Sequence, residues 1–234
     1  MNKSSLTMLA ALGFAVLSCA ATSAQTAAAP DADAEARYIA AIEKRTQDIT
    51  VLLSFKDAAA SNRIHSAIMA QYRALRDWHD TNGPVLKRLQ KEVSSADAAQ
   101  SAKAKKQIAA IQSSLKELHD QYLADLSADL SAVDVDKVKD KMTYNKVRIT
   151  YDGYCEMLPA LTDAQKAKIL DWLKEAREAA MDCGSADEKH AVFNKYKGRI
   201  NNYLSKEGYD LATASKEWNA RINARKQEES KPAN

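Results

Sequence analysis

Apolar residues along this chain recur at three- and four-residue intervals, the spacing that places them on one face of an α-helix. Tyr38, Ile39, Ile42, Ile49, Leu52 and Leu53 form the first such stripe and predict a helix from about Asp33 to Leu53. Ser54 and Asp57 offer caps for a second helix, with Ile64, Ile68, Tyr72 and Leu75 inward and Trp78 alongside. Gly83-Pro84 predicts a kink or short break, because proline lacks the backbone donor that a helix interior needs. The stripe resumes at Leu86, Leu89 and Val93, then returns beyond a polar segment as Ile108, Ile111, Leu115, Leu118 and Tyr122. That second run has the spacing of a coiled-coil seam. A long antiparallel hairpin with its tip near Ser95 is expected, with an arm of about 35 residues reaching roughly 50 Å.

Past the hairpin, Ser131 caps a helix that turns Val135, Val138 and Met142 inward. The segment "TYNKVRIT", residues 143–150, has no partner strand and reads as a loop, with Thr150 capping a short helix through Met157. Thr162 and Gln165 form a capping box, Leu161 staples the first turn, and the helix runs to about Cys183 and stops at Gly184. Ser185 starts the next helix, which ends near Gly208, and a last one holds Trp218 and Ile222. The expected fold is all-α: one domain over residues 37–226, an antiparallel helical bundle with one long helical hairpin, and a disordered tail at 227–234.

Composition strengthens this picture, since six glycines and four prolines in 234 residues leave little punctuation for a strand-rich fold. The first residues have a different logic. Lys3, the apolar run Leu6 to Leu17 and the small residues that follow have the order of a secretory signal, with cleavage after Ala24 and a tether over 25–36. "VLSC" also has the look of a lipoprotein signal with Cys19 acylated, the one route by which a membrane would hold the protein. Loss of Lys3 lowers the formal charge from +3 to +2, too little to draw the chain to nucleic acid. Of the two cysteines left, Cys155 and Cys183, the helix layout separates them and favours two buried thiols over a bond.

Motifs of catalysis are missing: there is no phosphate loop, nucleophile elbow, paired Cys-x-x-Cys or His-Glu-x-x-His, and no cofactor is implied. His65, His79, His119 and His190 are scattered, and interfacial roles suit them better than metal ligation. One window stands out. From Lys189 to Lys206 there are five Lys/Arg, three aromatics, three asparagines and no acid. Phe193, Tyr196, Ile200, Tyr203 and Leu204 share a core face, and Asn194, Gly198, Asn201 and Ser205 share a small polar face. A glycine inside a helix costs about 1 kcal/mol against alanine. Either another helix approaches there or a polar ligand does. Sugars use fixed donors beside aromatic planes. The candidate ligand set is accordingly Tyr144, Tyr151, His190, Lys195, Lys197, Gly198, Arg199, Asn201, Asn202 and Tyr203, with the cations donating to hydroxyls or to a uronate carboxylate.

The stretches "KVKDKMTY", "AREAAMDCGS" and "KYKGRINNYL", within Leu130 to Leu211, resemble the domain-of-unknown-function 3826 family. Gly83-Pro84 and both cysteines depart from its usual pattern. The resemblance implies a small exported helical protein of a polysaccharide-degrading bacterium with a sugar-binding role and no catalytic residues to carry over. It makes a non-enzymatic carbohydrate-binding protein the leading expectation, with an oligosaccharide or polysaccharide fragment as partner. A periplasmic helical structural or chaperone-like protein is the alternative, on the strength of "LTDAQ", the seam from Ile108 to Tyr122 and the cap-rich helix starts, and a glycan-active enzyme the second. Oligomeric state is left open.

Overall fold

A computed structural model describes residues 32–229, and within them the chain is all α-helix. The signal, the Cys19 reading and most of the tether lie outside the described residues, as do residues 230–234 of the tail. Helix α1 spans Ala32–Thr50, α2 Ala58–Val93, α3 Ala98–Ser127 and α4 Ala132–Met142. Then come α5 Lys146–Met157, α6 Asp163–Met181, α7 Ala186–Lys206 and α8 Leu211–Glu229. Most starts are set locally. Asp57, Asp97 and Ser131 each accept a backbone N–H of the first turn, and full capping boxes open α6 (Thr162, Gln165) and α7 (Ser185, Glu188).

Three expectations need correction. Helix α2 runs unbroken through Gly83-Pro84. The carbonyl that proline deprives of a partner belongs to Asp80, which is exposed and can turn to water. The loop expected at 143–150 is a three-residue turn; α5 begins at Lys146, so Thr150 sits within a helix and caps nothing. Residues 227–229, expected to be disordered, continue α8.

The helices enclose two apolar cores. One gathers Ile49 of α1, Ile64 and Ile68 of α2, Tyr122 and Leu126 of α3, and Val138 and Met142 of α4. The other gathers Val147 and Tyr154 of α5, Ile169 and Leu173 of α6, and Phe193, Ile200 and Leu204 of α7. Each fully buried branched side chain contributes about 1.5–3 kcal/mol relative to exposure. Helix α2 packs along α3 as the expected antiparallel hairpin, turning at Ser94–Asp97. The seam at Ile108, Ile111, Leu115 and Leu118 is half-buried, as a two-helix arm allows. Helix α8 lies against α5 and α7 without one fully buried residue.

Helix α6 joins the cores, through Met181, which is buried in the first, and through ion pairs to α4. Arg177 of α6 is 5% exposed and reaches Asp140 at 2.7 Å and Asp136 at 2.6 Å, both on α4. Lys139 of α4 meets Glu178 of α6 at 2.8 Å. The hairpin is fixed to the same helix by two histidines. His119 Nδ1 lies 2.9 Å from the Asp182 carboxylate, and His79 Nε2 lies 2.6 Å from the Asp182 carbonyl. The ring of His79 sits so close to Gly184 that a Cβ there would come within 2.8 Å of it.

Two outcomes follow from this joint. Arg177→Met strands two aspartates that keep some access to water, so it should cost about 2–3 kcal/mol, less than the ~3–5 typical of a fully buried pair; an unchanged urea midpoint would show that the guanidinium does not hold the cores together. The hydrogen bond to Asp182 raises the His119 pKa above its ordinary value despite desolvation. A raised histidine pKa adds stability that is complete below the unfolded value of about 6.5 and fades as pH rises through the folded one. Wild type should therefore lose stability relative to His119→Gln between pH 6 and 9, and parallel curves for the two proteins would refute the linkage.

Candidate functional site

The turn after α4 is built from two left-handed residues, Tyr144 at φ 59° and Asn145 at φ 53°. Asn145 N–H donates to the Asp140 carbonyl at 2.7 Å and Tyr144 N–H to the Lys141 carbonyl at 3.1 Å. That pair of bonds is the Schellman closure, in which the first residue past the helix is usually glycine because a Cβ is costly there. Helix α7 ends on the same pair, Gly208 to Ser205 and Tyr209 to Leu204, and there the position is glycine at φ +92°. Tyr144 thus stands where a glycine belongs, at a cost of roughly 1–2 kcal/mol. Its ring stacks on His190 with centroids 5.8 Å apart and planes 11° from parallel, yet remains 39% exposed.

Beside Tyr144 opens a cleft of about 380 Å³ walled by Arg45 and Asp48 of α1, Tyr72 of α2, Lys141 of α4 and Lys189 of α7. An adjoining recess of about 210 Å³ shares Arg45, Tyr72, Tyr144 and Lys189 and adds Tyr38, Arg76 and Cys183. The aromatic wall is fixed in place. Tyr38 donates its hydroxyl to the Tyr72 carbonyl at 2.8 Å, and the Arg76 guanidinium lies 4.1 Å from the Tyr38 ring centre while bonding Glu35 at 2.6 Å. Burial pushes the Tyr72 phenol up to about 12 and the Cys183 thiol up to about 11, so both stay protonated at neutral pH and Cys183 is a poor nucleophile. Lys189 is 7% exposed, and its Nζ donates to the Met142 carbonyl at 2.9 Å. Burial lowers its pKa, since a charged amine is disfavoured away from water.

The residues singled out in the sequence do not assemble into one site. Tyr144 lines the cleft and stacks on His190, which is exposed and is not one of the cleft walls. Lys197 and Asn201 line a separate recess of about 410 Å³ between α5, α7 and α8, where the Tyr154 hydroxyl donates to Asn201 Oδ1 at 2.6 Å. Arg199 and Tyr203 surround Trp172 instead: the guanidinium lies 4.4 Å from a Trp172 ring centre and bonds Glu175 at 3.0 Å, and the Tyr203 ring meets the indole edge-on at 5.4 Å. Tyr151 packs on the second core, and Lys195 and Asn202 are exposed. Gly198 is exposed too, and a Cβ there would meet nothing within 4 Å, so no helix occupies the space its missing side chain leaves. Arg45, Tyr72, Lys141 and Lys189, which wall the cleft, carry no local signal of a shared place. They come from four helices and converge only through packing.

A family model matches residues 39–224, nearly the whole described chain. The chain belongs to the DUF3826 family. Its description is that of a protein of unknown function. No curated protein matches the chain. Among the described residues of this family member, no helix is long and apolar enough to cross a membrane, and no group of three or more metal-ligating side chains occurs.

Because Gly198 supports no neighbour, Gly198→Ala should stabilise the protein by about 0.5–1 kcal/mol through helix propensity alone. A destabilised variant in thermal melts would show that something does approach that face.

Proposed function

We propose that this DUF3826 protein is a non-enzymatic, exported carbohydrate-binding protein and that a saccharide lodges in the cleft beside Tyr144. The observation that carries this reading is the tyrosine held in a glycine's backbone position. Strain of that kind persists where surrounding structure enforces it, and it is concentrated at ligand clamps and other functional sites. Here it turns an aromatic ring toward a polar cleft.

The chemistry of the walls fits a sugar. The C–H face of a pyranose stacks on an aromatic plane, and its hydroxyls take hydrogen bonds from fixed donors. Tyr144 and Tyr72 supply rings, while Arg45, Lys141 and Lys189 supply N–H donors. Glycoside hydrolysis by the common route needs two carboxylates facing the bond. Asp48 is the sole carboxylate on the walls of the cleft and its adjoining recess, which favours binding over hydrolysis. Export and the sugar class rest on the sequence: the charge, core and small-residue order of its first residues, and the family resemblance.

Tyr144→Gly separates strain from function. It should raise stability by about 1 kcal/mol, because the left-handed backbone suits glycine, and should abolish the binding heat of an oligosaccharide panel in calorimetry. A variant that binds as wild type does, or a wild type that binds no member of the panel, would end this reading.

A further inference from the structure

We propose that the cleft takes an acidic saccharide, one whose carboxylate or sulfate ester lodges against Lys189, Arg45 and Lys141. This inference rests on the reading of the cleft as a saccharide site and names the class of sugar.

The argument begins with how this chain treats its other buried cations. Arg177 is 5% exposed and has two aspartates within 2.7 Å. The Lys139 side chain is 13% exposed and has Glu178 at 2.8 Å. That is the general rule, since a cation removed from water is costly unless an anion and hydrogen bonds replace the solvent. Lys189 departs from it. At 7% exposure it has no carboxylate within ion-pair distance among the described residues, and its one hydrogen bond goes to a backbone carbonyl.

A plainer role for Lys189 exists and is incomplete. Met142 is the last residue of α4, so the bond from Nζ satisfies a terminal carbonyl at the negative end of a helix. An ammonium has three N–H donors, however, and this bond uses one. The negative end of α4 also accounts for Lys141, which lies in its last turn, but the Arg45 charge works against that of Lys189. Arg45 and Lys141 likewise have no carboxylate within ion-pair distance among the described residues, and Asp48, the one acid on these walls, forms no ion pair with any of the three. Asp182 attracts Lys189 weakly, but its carboxylate is hydrogen-bonded to His119.

Three cations with unused donors, converging on a cleft beneath an aromatic ring, leave a deficit of negative charge at that point. A singly charged group on a sugar fills it. Such an anion accepts the free donors of Lys189 in a poorly hydrated setting, where charge-assisted bonds are about twice as strong as neutral ones. The sugar ring that carries it remains within reach of Tyr144 and Tyr72. A plain inorganic anion would satisfy the charge but leave the aromatic wall without a purpose.

Titration calorimetry on the full mature chain tests this with four probes: an oligogalacturonate, a sulfated galacto-oligosaccharide, a neutral galacto-oligosaccharide of equal length, and inorganic sulfate alone. At least one acidic sugar should bind ~tenfold or more tightly than the neutral one and than sulfate. Lys189→Met keeps the length and apolar stem while removing the charge, and should bring the acidic-to-neutral preference to about one. Arg45→Gln, at an exposed position, should reduce the preference partway and serves as the check should Lys189→Met fail to fold. Equal binding of acidic and neutral sugars by wild type would overturn this inference and leave the saccharide reading standing. Sulfate binding as tightly as the acidic sugars, or a preference that survives in both variants, would also overturn it. No binding of any sugar would remove both.

Discussion

The Arg177 guanidinium is the constraint on which the arrangement depends. It lies where α4 crosses α6, the helix that contributes to both apolar cores, and holds Asp136 and Asp140 one helical turn apart. Two acids at that spacing repel each other on a free helix. With the cation between them they become the grip by which α6 holds α4. The direction in which α4 ends is thereby set, and so is the turn that follows it. Asp140 is both the carboxylate that Arg177 holds and the residue whose carbonyl receives Asn145 N–H. The joint between the cores and the strained turn at the cleft are therefore consecutive parts of one structure.

That connection explains how the chain sustains a tyrosine in the left-handed region. Thr143, fully buried, bonds back to the Lys139 carbonyl at 2.9 Å, and Lys189 bonds the Met142 carbonyl from α7. The turn is held from below by the core, from behind by α6 and from the side by α7. At the end of α7 the same closure needs none of these supports, because Gly208 adopts it freely. The contrast between the two helix ends identifies the cleft as the place where stability is given up, both in backbone strain and in an ammonium kept from water without a counter-ion.

Apart from the turn that carries Tyr144 and Asn145, the cleft walls are helices rather than loops. Arg45 and Asp48 lie on α1, Tyr72 on α2 and Lys189 on α7, each backed by a buried neighbour on its own helix: Thr46 and Ile49, Gln71, and Phe193 one turn on. Side chains anchored in this way lose little freedom when a ligand arrives, which favours recognition of a small polar molecule. In the recess near Trp218 the wall that α8 supplies lacks that support, since none of the described side chains of α8 is buried.

Much of the architecture was legible in the sequence because its causes are local. Thr162 with Gln165, and Ser185, announce helix starts through bonds made within four residues. Ile64, Ile68 and Leu75, or Phe193, Ile200 and Leu204, announce faces through their spacing alone. Pro84 misled because the effect of a proline depends on whether the orphaned carbonyl can reach water, which is a matter of exposure. The turn at Tyr144 escaped because its conformation is imposed against local preference; no glycine marks it. Tyr144 and His190, two members of the candidate set, did meet, whereas Lys197 with Asn201 and Arg199 with Tyr203 went to other faces, since one helix cannot turn all its sides toward one place. The sequence by itself determined the helices, their caps and their inward faces. Only the tertiary structure decided that Arg45, Tyr72, Tyr144 and Lys189 share a cleft, because they lie far apart along the chain and nothing but packing brings them together.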